Sequence, residues 1–170
     1  MVADPPTPRN LEPMIGLVRR GLSMFLIALM AVMVLDVTWQ VVSRFIMNRP
    51  SSFTEELAGF LLIWIGLLGA AYAFETRAHL GIDLLREKLG EAGSLRLDLV
   101  VNLLVILFAL TVMVGGGLNL VVLAFKLDQI SAAMGISMGY VYLALPLSGL
   151  LIMLFAAGAI TKSRTDLAGA

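Results

Sequence analysis

Four long runs of this sequence carry almost no charge, and they limit the possible folds more than any other feature. Between Arg20 and Arg44 lie 23 residues whose only charge is Asp36. A further 18 uncharged residues separate Glu56 from Glu75, 27 separate Asp98 from Lys126, and 33 separate Asp128 from Lys162. Crossing about 30 Å of hydrocarbon takes roughly 20 apolar residues at about 1.5 Å each, so every run is long enough for one helical passage. A membrane β-barrel would show shorter segments of alternating polarity instead. The expectation is an all-α integral membrane protein with four transmembrane helices.

Composition agrees. Hydrophobic residues make up 59% of the 170 and charged residues only 14%, where a soluble domain carries about a quarter charged residues. The first run follows Arg19 and Arg20 and could pass for a secretory signal, but it continues through Trp39 to Ser43 without a small-residue cleavage site. It therefore reads as an uncleaved first helix. With no cysteine and one histidine, disulfides, thiolate chemistry, cysteine-based metal sites and a bis-histidine haem bundle are excluded. No basic patch suits a nucleic acid. No cofactor, metal or catalytic residue is expected.

Spacing divides the chain further. Residues 1–20, with Pro5, Pro6, Pro8 and Pro13, read as a cytoplasmic tail ending in an interfacial turn. A single membrane domain follows over 21–160, with spans at about 21–44, 53–74, 97–124 and 137–160, and then a cytoplasmic tail over 161–170. Ser52 and Glu55 have the spacing of a capping box at the start of the second span. In the charged stretch 75–98, Ile82, Leu85 and Leu89 fall on one helical face, which suits a short interfacial helix. Gln129 to Ile136 reads as a surface segment, and Pro146 is expected to kink the fourth span because it removes a backbone bond. Basic residues set the orientation. Arg9, Arg19, Arg20, Arg77, Arg86, Lys88, Arg96, Lys162 and Arg164 flank one side, against Arg44, Arg49 and Lys126 on the other. This places both termini and the 75–98 loop in the cytoplasm.

Few residues suggest chemistry. Asp36 is the one charge within a predicted span, and such carboxylates face protein or water. Gln40 and Arg44 follow at four-residue spacing and extend a polar seam along one helix face. The plain reading of the seam is glue between helices, and the sharper one is an ion pathway. His79 reads as a surface hydrogen-bonding residue. Glu55 and Glu56 resemble a carboxylate pair, yet first-turn acids are what a helix N-terminus favours. Gly115, Gly116 and Gly117 permit close packing or a bend. Trp39, Trp64, Tyr72, Tyr140 and Tyr142 include candidates for anchors at the membrane interface. Nothing here indicates an enzyme.

Several motifs carry a resemblance. Ser52-Phe53-Thr54-Glu55-Glu56-Leu57-Ala58, Trp64, and Leu68-Gly69-Ala70-Ala71-Tyr72-Ala73 are followed by His79-Leu80-Gly81-Ile82-Asp83. Gly135-Ile136-Ser137-Met138-Gly139-Tyr140-Val141-Tyr142 and Leu145-Pro146-Leu147-Ser148-Gly149 complete the series. Together, over roughly residues 17–160, the chain resembles the small membrane subunit of the tripartite ATP-independent periplasmic (TRAP) transporters, the DctQ-like family. It departs from the family at Phe53, often tryptophan, and at Ala132 and Ser137, often proline. The resemblance implies a multi-pass protein of the bacterial inner membrane that acts as a scaffold for a large membrane subunit. It also implies sodium-coupled uptake of organic acids delivered by a periplasmic binding protein that docks transiently. Membrane lipids are the remaining partner, and substrate contacts belong to the other components. Candidates for the subunit interface are Asp36, Gln40, Arg44, Glu55, Glu56, Trp64, Tyr140 and Pro146. The alternative is an autonomous oligomeric four-helix transporter or channel using Asp36.

Overall fold

The computed structural model describes residues 11–47, 51–76, 93 and 97–168. Its helices are α1 (Leu11–Phe45), α2 (Ser52–Glu75), α3 (Leu97–Lys126), α4 (Met138–Tyr142) and α5 (Ala144–Ala168). Among the described residues, four stretches are long and apolar enough to cross a membrane: Pro13–Phe45, Ser52–Glu75, Leu97–Lys126 and Met138–Thr161. The last joins α4 to most of α5. The four-helix, all-α expectation therefore holds. The interfacial helix expected over 75–98, with His79, lies almost wholly outside the described residues.

The helix boundaries differ from the sequence reading in instructive ways. α1 begins at Leu11 rather than near residue 21, running straight through Pro13. A proline in the first helical turn removes an N–H that would have no intrahelical partner anyway, so it does not block the helix. The capping box does not form. Ser51 in extended conformation is the N-cap and makes no side-chain bond, while Ser52 is already helical. Glu55 reaches away to Arg44 instead. α5 continues to Ala168 rather than stopping at 160. The fourth span is interrupted at Leu143, between α4 and α5. Leu143 N donates to Gly139 O and Leu147 N to Leu143 O, both at 3.2 Å. The proline nitrogen of Pro146 cannot supply the bond that would bridge the gap to Tyr142.

Contacts fix an up-and-down order. Arg19 meets Glu75, and Ile15 lies against Gly158, so the start of α1 and the ends of α2 and α5 share one end of the bundle. At the other end, the start of α2 meets the turn that follows α3. We call these the Glu75 end and the Ser51 end. α1 packs on α2, α2 on α5, and α5 on the middle of α3. One apolar cluster joins Ala71, Ala109, Met113 and Ile152, and another joins Leu22, Leu68 and Phe155. The outer faces are apolar too. Met24, Ile27, Val34 and Leu35 on α1 and Leu103, Leu104, Leu107 and Phe108 on α3 are all exposed, as helices surrounded by lipid require.

α3 is π-helical from Ala109 to Gly116. The wide turns meet α5 where it lacks side-chain bulk: a Cβ on Gly149 would come within 2.8 Å of the Met113 Cβ. Gly117, the last of the glycine triplet, serves close packing, because a Cβ there would lie 2.9 Å from Pro146 Cδ and 3.1 Å from its nitrogen. The proline ring cannot rotate away. Gly117→Ala is therefore expected to destabilise the chain by about 1–3 kcal/mol through overpacking. Gly116→Ala, whose Cβ meets nothing within 4 Å, should not. Thermal melts of the two purified variants decide it, and equal midpoints would mean that α3 and α5 separate at no cost.

Candidate functional site

Among the described residues, the buried polar residues Asp36, Ser43, Thr54 and Ser131 lie toward the Ser51 end and belong to two arrangements. The first is the seam on α1. Asp36 is buried, only 7% exposed, and its Oδ2 accepts a hydrogen bond from Gln40 Nε2 at 2.9 Å. The same nitrogen donates its second proton to the Thr54 carbonyl at 2.8 Å. Helical spacing explains the first bond, since residues four apart stack on one face. The second ties α1 to the first turn of α2. Arg44, expected to extend the seam from Asp36 and Gln40, turns instead to Glu55 on α2, with both side chains about half exposed. It gains a carboxylate partner near the surface there, which mid-helix does not offer without desolvation. The seam thus consists of Asp36 and Gln40 alone and faces α2. Ser43, also buried, closes it by donating to the Gln40 carbonyl at 3.0 Å.

The second arrangement was missed by sequence reasoning. Glu56 on α2 reaches across to the turn after α3. Its Oε2 accepts from Ser131 Oγ at 2.6 Å, from Ala133 N at 2.8 Å and from Met134 N at 3.0 Å, and its Oε1 accepts from Ala132 N at 3.2 Å. Three successive backbone N–H groups and a hydroxyl converge on one carboxylate, a geometry suited to holding an anion. Ser131 Oγ in turn accepts from Met134 N at 3.1 Å. The sequence carried one hint, the Ser131-Ala-Ala-Met-Gly135 turn composition, but its partner stands 75 residues away.

The other candidates separate into inward and outward groups. Trp64 packs in the Leu22–Leu68–Phe155 cluster, edge-on to Phe25 with ring centroids 6.3 Å apart. Pro146 is buried beside Gly117. Tyr140 is 60% exposed and stands edge-on to Phe125 at 5.3 Å. With Arg44 and Glu55, it is the candidate with a free outer surface. At the Glu75 end, Arg19 Nη1 approaches Glu75 Oε1 at 3.5 Å, while Glu75 Oε2 is buried with no hydrogen-bond partner among the described residues. Among those residues no group of three or more His, Cys, Asp or Glu comes together as a metal would need. Thr38, Asn102, Thr111 and Ser148 bond to carbonyls of their own helices, while Gln40 and Glu56 tie separate elements together, so the arrangement offers cross-bracing rather than a reaction centre.

Known proteins agree with this character. Residues 32–165 match the family described as tripartite ATP-independent periplasmic transporters, DctQ component. The chain is 32% identical over 132 residues to the sialic acid TRAP transporter small permease protein SiaQ of Vibrio cholerae, covering 75% of this chain and 72% of that one. It is also 29% identical over 114 residues to the sialic acid TRAP transporter permease protein SiaT of Haemophilus influenzae, covering 67% of this chain but 18% of that protein. The family match runs from the middle of α1 through nearly all of α5, taking in both the Asp36–Gln40 seam and the Glu56 clamp. The chain belongs to the DctQ component family of the tripartite ATP-independent periplasmic transporters, as a multi-pass small permease subunit and not an enzyme.

Proposed function

We propose that this subunit is a fixed scaffold beside a large permease subunit in the bacterial inner membrane. In this reading the large subunit moves an organic acid inward with sodium, and a periplasmic binding protein delivers the substrate by docking transiently. The observation that carries the reading is the SiaT relative, in which a segment similar to this chain forms 18% of a far longer permease. A small membrane block joined to a permease in one polypeptide supports a lasting side-by-side partnership. The internal pairing of Asp36 with Gln40 supports a static role, because it engages the buried carboxylate of α1 within the chain itself. The sialic acid in the names of two relatives supports an acidic cargo. No observation favours the autonomous channel.

Two results are expected. Proteoliposomes holding this chain alone should show no sodium-dependent uptake of organic acids, and uptake should need the large subunit and the binding protein together. Transport by the lone chain would overturn the scaffold role. Reporter fusions after Glu91 and after Ser163 should report the cytoplasm, and fusions near Ser51 or Asp128 the periplasm, as the basic residues dictate. The inverse pattern would move the Glu56 clamp to the cytoplasmic face.

A further inference from the structure

The turn between α3 and α4, residues 127–137, is built as though water were scarce around it. Its backbone N–H groups are mostly engaged within the protein. Gln129 N donates to Ala124 O at 3.0 Å, Ser131 N to Ile136 O at 2.8 Å, Gly135 N to Ser131 O at 3.0 Å, and Met138 N to Gln129 O at 2.8 Å. Ala132 to Met134 donate to the Glu56 carboxylate, and the N–H groups of Ile130, Ile136 and Ser137 are the ones left to water or headgroups. An exposed loop in bulk water needs no such provision, because water satisfies its amides. A non-helical segment at membrane depth does, since each unsatisfied group in hydrocarbon is costly.

Two further properties point the same way. No ionisable residue occurs from Gln129 to Ile136. The large side chains of the turn that project outward include three aliphatics, with Leu127 60% exposed, Ile130 61% and Ile136 38%, beside exposed Gln129, Ala132 and Ala133. This surface adjoins the exposed apolar face of α3 at Val122, Leu123 and Phe125. The backbone is shaped for a compact return, with Asp128 at φ 48°, Gly135 at φ 68° and a bridge between Ile130 and Ser137. Asp128 and Lys126, both exposed at its start, mark where charge resumes.

We propose that residues 127–137 form a re-entrant hairpin lying in the headgroup–acyl boundary of the bilayer, with Leu127, Ile130 and Ile136 in contact with lipid and Glu56 as the internal acceptor that makes this possible. The clamp also explains how a carboxylate is tolerated there, since three amide dipoles and a hydroxyl surround it. A docking site for a soluble protein would need to remain soluble when vacant, with a polar rim around its apolar centre. Beyond Asp128 this hairpin has uncharged residues and bare aliphatics instead.

The absence of cysteine makes the test direct. Ile130→Cys and Ile136→Cys, each nitroxide-labelled in the full chain, are reconstituted into vesicles of phosphatidylethanolamine and phosphatidylglycerol. Leu103→Cys on the outer face of α3 is the lipid reference, and Lys126→Cys the headgroup reference. Collision with oxygen relative to a water-soluble nickel chelate should be at least about twofold higher at Ile130 and Ile136 than at Lys126, approaching the value at Leu103. Adding Glu56→Ala to Ile130→Cys should lower that ratio to the Lys126 value, as freed amides seek water. If that double variant fails to fold, the comparison of the four labels still decides. Ready access of nickel to both sites overturns the proposal, and a fall in that access when a binding protein is added would assign the surface to protein docking. Shielding from both reagents overturns it as well, since it would mean that protein covers the hairpin. None of these readings depends on transport, so the scaffold role can fail while the hairpin stands.

Discussion

Gln40→Leu is expected to harm the chain more than any change at Asp36 itself. The substitution leaves the Asp36 carboxylate buried in a membrane helix without its amide donor and removes the bond from α1 to the Thr54 carbonyl. A buried acceptor left unsatisfied costs about 1–3 kcal/mol, and a carboxylate at mid-helix depth about 2.5–3.5 kcal/mol on insertion scales. Asp36→Asn keeps an oxygen for Gln40 and should be mild. Asp36→Leu should fall between, stranding one amide proton rather than a carboxylate. The double variant Asp36→Leu/Gln40→Leu should recover part of the loss, because removing both partners leaves nothing unpaired. Thermal midpoints of the purified chain measure this, with Gln40→Leu lower by roughly 4–8 °C. If the double variant melts no higher than Gln40→Leu, the two side chains are not an energetic pair. Because the seam faces α2, the loss should register in this chain alone and not only in recovery of a partner subunit.

Glu56→Ala is expected to undo the turn after α3 while leaving the four spans in place. Four donors lose their acceptor at once, whereas the helices keep their own ladders. Hydrogen exchange at Ala132, Ala133 and Met134 should accelerate on the order of tenfold or more, with exchange in α2 and α5 unchanged. Glu56→Gln should resemble alanine more than the native chain. Its amide nitrogen would face either the Ala132 N–H or the Ser131–Met134 donors, and a donor cannot serve a donor. Ser131→Ala removes one contact of four and should have a lesser effect. Unaltered exchange at the three amides in Glu56→Ala would mean that they find partners without the carboxylate.

The spans were legible because the absence of charge over 18 to 33 residues needs no tertiary knowledge to interpret. Asp36 and Gln40 were legible for a similar reason, since a four-residue spacing is local to one helix. Arg44 was not, because two acceptors competed for it and the winning one, Glu55, lies on the next helix. Glu56 was read as a first-turn acid favoured by the helix terminus. That reading uses only its own helix, while its actual partners arrive from beyond the next span. Trp64 and Pro146 carry the composition of interface residues, yet which side of a helix meets a sister helix and which meets lipid depends on packing. Where every face is apolar, hydropathy cannot separate inside from outside. The start of α1 escaped because proline was weighed by its number in the tail and not by its position in the first turn.

The π-helical stretch in α3 has a consequence for how this segment tolerates change in length. Hydrogen bonds that skip one residue more per turn take up additional chain, so the glycine at 117 meets Pro146 only because the eight residues from Ala109 to Gly116 are wound wide. Removing one of them would leave the hydropathy, the span length and nearly every side chain intact. The wide turns can absorb that loss by closing toward ordinary α-helix, whereas a deletion in the α-helical residues on either side would turn everything beyond it by about 100° around the axis. Such a turn would swing Phe125 from beside Gly139 and Gly117 from beside Pro146. Within this span, azimuth rather than hydrophobicity decides where a one-residue change in length is tolerated.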